Sequence, residues 1–167
     1  MKHAFGCVVS DAGPLIGLAI VNALPWLQEM FSSVLIPKTV ATELCFESDL
    51  PGAKALALTQ EQGWLQVRPV GDVPAHLLAL VDQGEAEAIA LAKQEGLPLL
   101  IDEYRGRMAA RSEAVSVFGT GAVLVRAKEK QLIPLVGPYL DALTKAHYRI
   151  SERLKVEILV RAGELGA

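Results

Sequence analysis

The sequence predicts an α/β fold: a three-layer α/β/α sandwich around a mostly parallel central sheet, with extra helices at the C-terminal end. Three observations carry that prediction. Short apolar runs alternate along the chain with stretches of helical spacing, the order that βαβ units require. Several of the runs are apolar at every position, as strands covered on both faces are. Finally, 51 % of the 167 residues are hydrophobic but only 5 % aromatic, so Leu, Val, Ile and Ala must fill the space between the layers.

Taken in order, residues 6–10 are a β-branched apolar run ending at Asp11, which reads as a buried strand. Pro14 opens a helix to about residue 23, from the favoured position just inside a helix start. Val34-Leu35-Ile36 is a second short strand, and Pro37 begins a helix carrying Val40, Glu43 and Leu44. Residues 53–62 read as a helix that Gly63 stops, and residues 64–70 alternate like a half-buried edge strand. An Ala-rich helix covers residues 84–95 and ends at Gly96. Residues 97–101 form a third buried strand closing on Asp102-Glu103. Residues 108–111 continue a helix, and residues 114–118 are a further strand. Gly119-Thr120-Gly121 leads into a helix to about residue 130, with Thr120 as its N-cap. The last third is helical, and Ser151 caps a helix bearing Leu154, Ile158, Leu159 and Ala162 on one face. That face either closes the core or forms a dimer contact. No repeat, low-complexity tract or linker intervenes. A single domain over residues 1–167 is expected, with a core to about residue 135 and a helical extension over about 136–167.

Charge narrows the function. Sixteen Lys and Arg against nineteen Asp and Glu give a formal charge of −3, which argues against holding nucleic acid by bulk positive potential. An enzyme that meets a phosphodiester through bound cations remains open. Cys7 and Cys45 sit in apolar runs without CxxC or Cys/His spacing, so reduced thiols packed in the core are expected, which suits a reducing cytoplasm. His3, His76 and His147 are scattered and show no metal-ligand spacing. The first apolar run is broken by Ser10-Asp11 and Gly13-Pro14, so no signal peptide is expected of it, and residues 14–26 are expected to be too short to span a bilayer.

The acids are more informative. Ligands of open α/β sheets bind beyond the carboxyl ends of the strands. Asp11 and Asp102 both stand at such ends and share a rim if their strands are parallel. Glu43 falls at the border of its helix's apolar face. Glu85, with Ile89 at i+4 and Ala92 at i+7, lies on the side of its helix that packs inward. Each alone has an ordinary role as a turn, cap or helix-dipole acid. Together they are harder to dismiss. Two carboxylates about 5 Å apart repel by roughly 3 kcal/mol at an effective dielectric near 20. Four packed together without compensation would consume much of a domain's stability of about 5–15 kcal/mol. Such a cluster needs a cation or protons, and oxygen ligands suit Mg²⁺ or Mn²⁺.

At these residues the sequence resembles the PIN-domain family of ribonucleases, which includes many toxins of toxin–antitoxin pairs. The matching pieces are residues 8–16, Ile36-Pro37 with Val40 and Glu43, residues 84–92, residues 99–103, Arg107 with Ala110, and residues 117–121. They occur in family order from about residue 5 to 135. The chain looks most similar to a longer prokaryotic branch with a Gly-Glu helix and extra C-terminal helices. The resemblance implies a metal-dependent endoribonuclease, with Asp11, Glu43, Glu85 and Asp102 as catalytic and metal-binding acids. It places Glu103 beside the metal, and Thr120 and Arg107 toward substrate. It also implies Mg²⁺ or Mn²⁺, RNA as substrate, a small antitoxin as partner, a homodimer and a cytoplasmic location. Glu85 stands where many members have Asp, and Ala12 or Gly13 where they have Ser or Thr.

Rival readings are weaker. One is a PIN-fold binding or regulatory module without activity. A haloacid-dehalogenase-like phosphatase needs a second Asp where Gly13 stands, and no loop ends in Gly-Lys-Ser/Thr as a P-loop must. Gly119-Thr120-Gly121 lacks the third glycine of a dinucleotide fingerprint, since Leu124 fills that place. Arg105, Arg107 and Arg111 either contact phosphate, pair with the acids, or form a solvated helix face.

Overall fold

A computed structural model describes residues 5–166. Five strands form one sheet: β1 (Phe5–Ser10), β2 (Phe31–Ile36), β3 (Leu65–Val67), β4 (Leu99–Leu100) and β5 (Val117–Phe118). Their order is β3-β2-β1-β4-β5 and every pairing is parallel. The intervening helices are α1 (Ala12–Ile20), α2 (Leu24–Met30), α3 (Lys38–Leu44), α4 (Ala53–Glu61), α5 (Ala75–Leu80), α6 (Gln83–Glu95), α7 (Tyr104–Ser112), α8 (Thr120–Glu129), α9 (Gly137–Lys145) and α10 (Glu152–Arg161).

The apolar runs are continuous because successive side chains serve opposite faces. Val8 and Val34 join one core with α1, α2, α8 and α9, whereas Val9 and Leu35 join a second core with α6 and α7. β1 is the central strand. The chain builds β2 and β3 on one side of it and then crosses over to build β4 and β5 on the other. That reversal leaves a crevice beyond the carboxyl ends of β1 and β4.

Three readings need correction. The cap of α8 is Gly119, and Thr120 is its first helical residue, because the Thr120 hydroxyl is drawn to Asp102 instead. Cys45 is not core: it is exposed, in the left-handed conformation that ends α3. Cys7 is half-buried, with its sulfur 3.0 Å from the Ser33 hydroxyl. The helices α2 and α5 were not expected. His3 lies outside the described residues. Ser151 does cap α10, accepting from the Leu154 N–H at 3.1 Å. Among the described residues no helix is long and apolar enough to cross a membrane.

Candidate active site

β1 and β4 deliver two acids to the crevice side by side. Ser10 is in register with Leu100, and the Asp11 N–H donates to the Leu100 carbonyl at 3.0 Å. Asp11 then occupies the N-cap position of α1 with an extended backbone and is only 9 % exposed, and the neighbouring Ala12 N–H favours its charged form. Glu43 arrives on the last turn of α3, with its carboxyl lying over Gly84, where a Cβ would collide with it. Gly84 lets α6 come this close. Glu85, 6 % exposed, is held by a capping box at the start of α6. Its N–H donates to Asp82 Oδ1 at 2.8 Å, and its own Oε2 accepts from the Asp82 N–H at 3.2 Å. Asp82 is thus a fifth acid at the crevice. The Asp-x-x-Glu spacing of a capping box was its signal in the sequence.

These carboxyls burden one another. Burial, and behind it Glu43, Asp82 and Asp102, pushes Asp11 up to about 7 against the help of the Ala12 N–H. Burial and Asp82 push Glu85 up to about 7 as well, with Asp11 and Glu103 contributing. Glu43 is raised by burial of its carboxyl and by Asp82, Glu85 and Glu87. Among the described residues none of the three forms an ion pair with Lys, Arg or His. Glu103, exposed at the N-cap position of α7 without a side-chain cap bond, lines with Asp82, Glu85 and Arg105 a shallow cleft of about 450 Å³.

Asp102 is held differently. Its Oδ1 accepts from the Thr120 N–H at 2.7 Å, and its Oδ2 accepts from the Thr120 hydroxyl at 2.6 Å. The phenol of Tyr148 donates to the same Oδ2. Burial and the Asp102 carboxylate push that phenol above its ordinary range, so it stays a donor. Tyr148 lies in the connection between α9 and α10, and its ring packs so close to Gly17 that a Cβ there would stand 2.8 Å from it. No local pattern in the sequence pointed to Tyr148. Arg107 donates to the Ile101 carbonyl at 3.1 Å and lies under Gly119, where a Cβ would sit 2.6 Å from Asp102 Oδ1 and 2.9 Å from the guanidinium.

The structure thus brings Asp11, Glu43 and Glu85 into one electrostatic cluster, with Asp102 beside Asp11, Thr120 and Arg107 around Asp102, and Glu103 at the edge. The donor set fits a hard divalent cation, being wholly carboxylate oxygen, partly desolvated and without a basic side chain to neutralise it. Among the described residues, however, no three His, Cys, Asp or Glu side chains are already arranged to hold one ion together.

A PIN-domain family model matches residues 7–164, so the chain belongs to the PIN-domain family, whose fold is of the nuclease type. Among solved structures it is similar to a PilT N-terminus domain protein from the hyperthermophilic archaeon Sulfolobus solfataricus P2, at 14 % identity and a TM-score of 0.50, covering 72 % of this chain and 92 % of that one. It is also similar to a domain of a functionally unknown protein from Methanocaldococcus jannaschii DSM 2661, at 18 % identity and a TM-score of 0.45, over 68 % of this chain and 89 % of that one. No curated protein matches.

Proposed function

We propose that this protein is a Mg²⁺- or Mn²⁺-dependent endoribonuclease. The observation that carries the reading is the cluster of Asp11, Glu43 and Glu85 in the crevice at the strand reversal, with Asp11 and Glu85 buried, Glu43 exposed beside them, and all three destabilised by the charge of neighbouring acids. Asp11, Glu43, Glu85 and Asp102, assisted by Glu103, would hold the cation. When bound, it would acidify a water and offset the charge of the phosphate. The chain's own residues do the rest. Thr120 and Tyr148 fix the plane of the Asp102 carboxylate, the Asp82 N–H fixes Glu85, and Arg107 stands beside Asp102 where a phosphate oxygen can meet it.

Family membership supports placing the chain as a toxin of a toxin–antitoxin pair, cytoplasmic, homodimeric and paired with a small antitoxin. A second reading, a PIN-fold binding module without activity, is favoured by the absence of a preassembled three-ligand set among the described residues. One experiment separates the two. RNA cleavage and thermal melting are followed during Mn²⁺ titration of wild type, Asp11→Asn and Asp102→Asn. A nuclease is stabilised by the metal and cuts only in its presence, and each variant loses at least about a hundredfold in rate, the scale of a lost catalytic group. No melting shift in wild type, or equal cutting by the variants, refutes the assignment.

A further inference from the structure

On the other side of Asp102, α7, α8 and α10 enclose a cleft of about 690 Å³ that the carboxylate cluster does not use. Four guanidiniums line it (Arg107, Arg111, Arg153 and Arg161) against two carboxylates, Asp102 and Glu157. Arg153 is paired with Glu157 at 3.1 Å. Arg111 and Arg161 are exposed and have no carboxylate partner among the described residues, yet both act on Arg107 as neighbouring like charges. A chain of net charge −3 therefore concentrates uncompensated guanidiniums in one cleft. Such crowding is unfavourable until an anion joins it, and phosphate matches the planar fork of Arg. Tyr104 lines the same cleft and is 73 % exposed. Cationic groups along a groove with an open aromatic ring are the composition of a single-strand site.

We propose that α10 completes a groove for a single strand of nucleic acid, with phosphates on Arg107, Arg111 and Arg161 and one base stacked on Tyr104. The proposal rests on the nuclease reading, and adds to it the path of the strand into Asp102 and a substrate-binding role for the C-terminal helix. A duplex has its bases stacked on each other and offers Tyr104 no free face.

The test uses the full chain in EDTA, so that binding is read without cleavage. Fluorescence anisotropy is measured with labelled oligouridine, oligothymidine and a duplex of equal length. Both single strands bind, the tighter of the two naming the strand, and the duplex binds about tenfold more weakly. The double variant R111Q/R161Q loses about tenfold in affinity, and its slope of log affinity against log salt flattens by about 1.4. Tyr104→Ala also loses about tenfold, but keeps the salt slope, and Tyr104→Phe retains affinity. Should the double variant melt early, the single variants R111Q and R161Q replace it, each flattening the slope by about 0.7. Unchanged binding by the arginine variants, or a duplex bound as tightly as a single strand, overturns the groove. Wild type that binds but does not cut in Mn²⁺ overturns the nuclease reading alone. Cutting in Mn²⁺ that ignores both the arginine and Tyr104 changes overturns the groove alone.

Discussion

Two hydroxyls share one oxygen of Asp102, those of Thr120 and Tyr148. Hydrogen bonds to a charged acceptor contribute about 1.5–3 kcal/mol each, and partners on a common atom compensate for one another. Tyr148→Phe and Thr120→Ala should each cost about 1–2 kcal/mol in urea unfolding, and the double variant should cost more than their sum by at least about 0.5 kcal/mol. Strict additivity in that double-mutant cycle would show that the two do not act on one carboxylate. Gly17→Ala should reproduce the Tyr148→Phe effect despite its better helix propensity, because its Cβ meets the phenol ring at 2.8 Å. Residues at this scale were unequally legible. Asp11 and Asp102 announce themselves as acids at the ends of apolar strands, whereas Asp82 shows only a capping-box spacing, which points to a helix start and not to a site. Tyr148 is 46 residues from Asp102 and reaches it only through the packing of the α9–α10 connection, which no local spacing encodes.

At the scale of elements, one acid joins the end of α10 to both α8 and α9, beside the apolar packing of Leu140, Leu143 and Ile158. Glu164, just past α10, accepts from the N–H groups of Val136 at 2.7 Å and Gly137 at 3.0 Å, at the start of α9, and pairs with Lys128 of α8 at 3.0 Å. Burial pushes this carboxyl up, but the two N–H groups and the Lys128 ammonium outweigh it and hold it below the usual range. The sign follows: its contribution is complete above the ordinary glutamate pKa of about 4.3 and is lost as pH falls through the lower folded value. Glu164→Gln should therefore lower stability by about 1–2 kcal/mol at neutral pH, and the difference from wild type should shrink in acid. A gap independent of pH would assign the effect to packing instead. Boundaries were less legible than elements. β4 and β5 pair over two residues each, although the apolar runs through them are longer, because Ile101 and Val115 stay buried beyond the ladder. α2 and α5 have seven and six residues, fewer than two turns, so they show no period, and Pro25 occupies the first turn of α2.

For the whole molecule, the crevice sets a pH dependence opposite to that of ordinary acid unfolding. Asp11 and Glu85 each titrate at about 7 when folded, against 3.8 and 4.5 when unfolded. The folded protein thus binds protons more tightly between those values. The stabilisation is full below the unfolded values and disappears as pH rises through about 7. Without metal, Tm should rise as pH is lowered from about 8 to about 5.5, before lowered acids such as Glu164 begin to protonate. Asp11→Asn keeps an oxygen for the Ala12 N–H but removes the charge, so near pH 8 it should melt above wild type and show a flatter pH profile. Mn²⁺ should reverse the ranking. At a hundredfold excess over its Kd it adds about 2.7 kcal/mol to a protein that binds it only when folded, and the variant that has lost a ligand gains less. The crossing of the two melting series is the diagnostic result. A purely structural cluster gives no crossing, since the variant would then stay above wild type at every metal concentration, and an Asp11 that is ionised without strain gives no initial advantage to the variant at all.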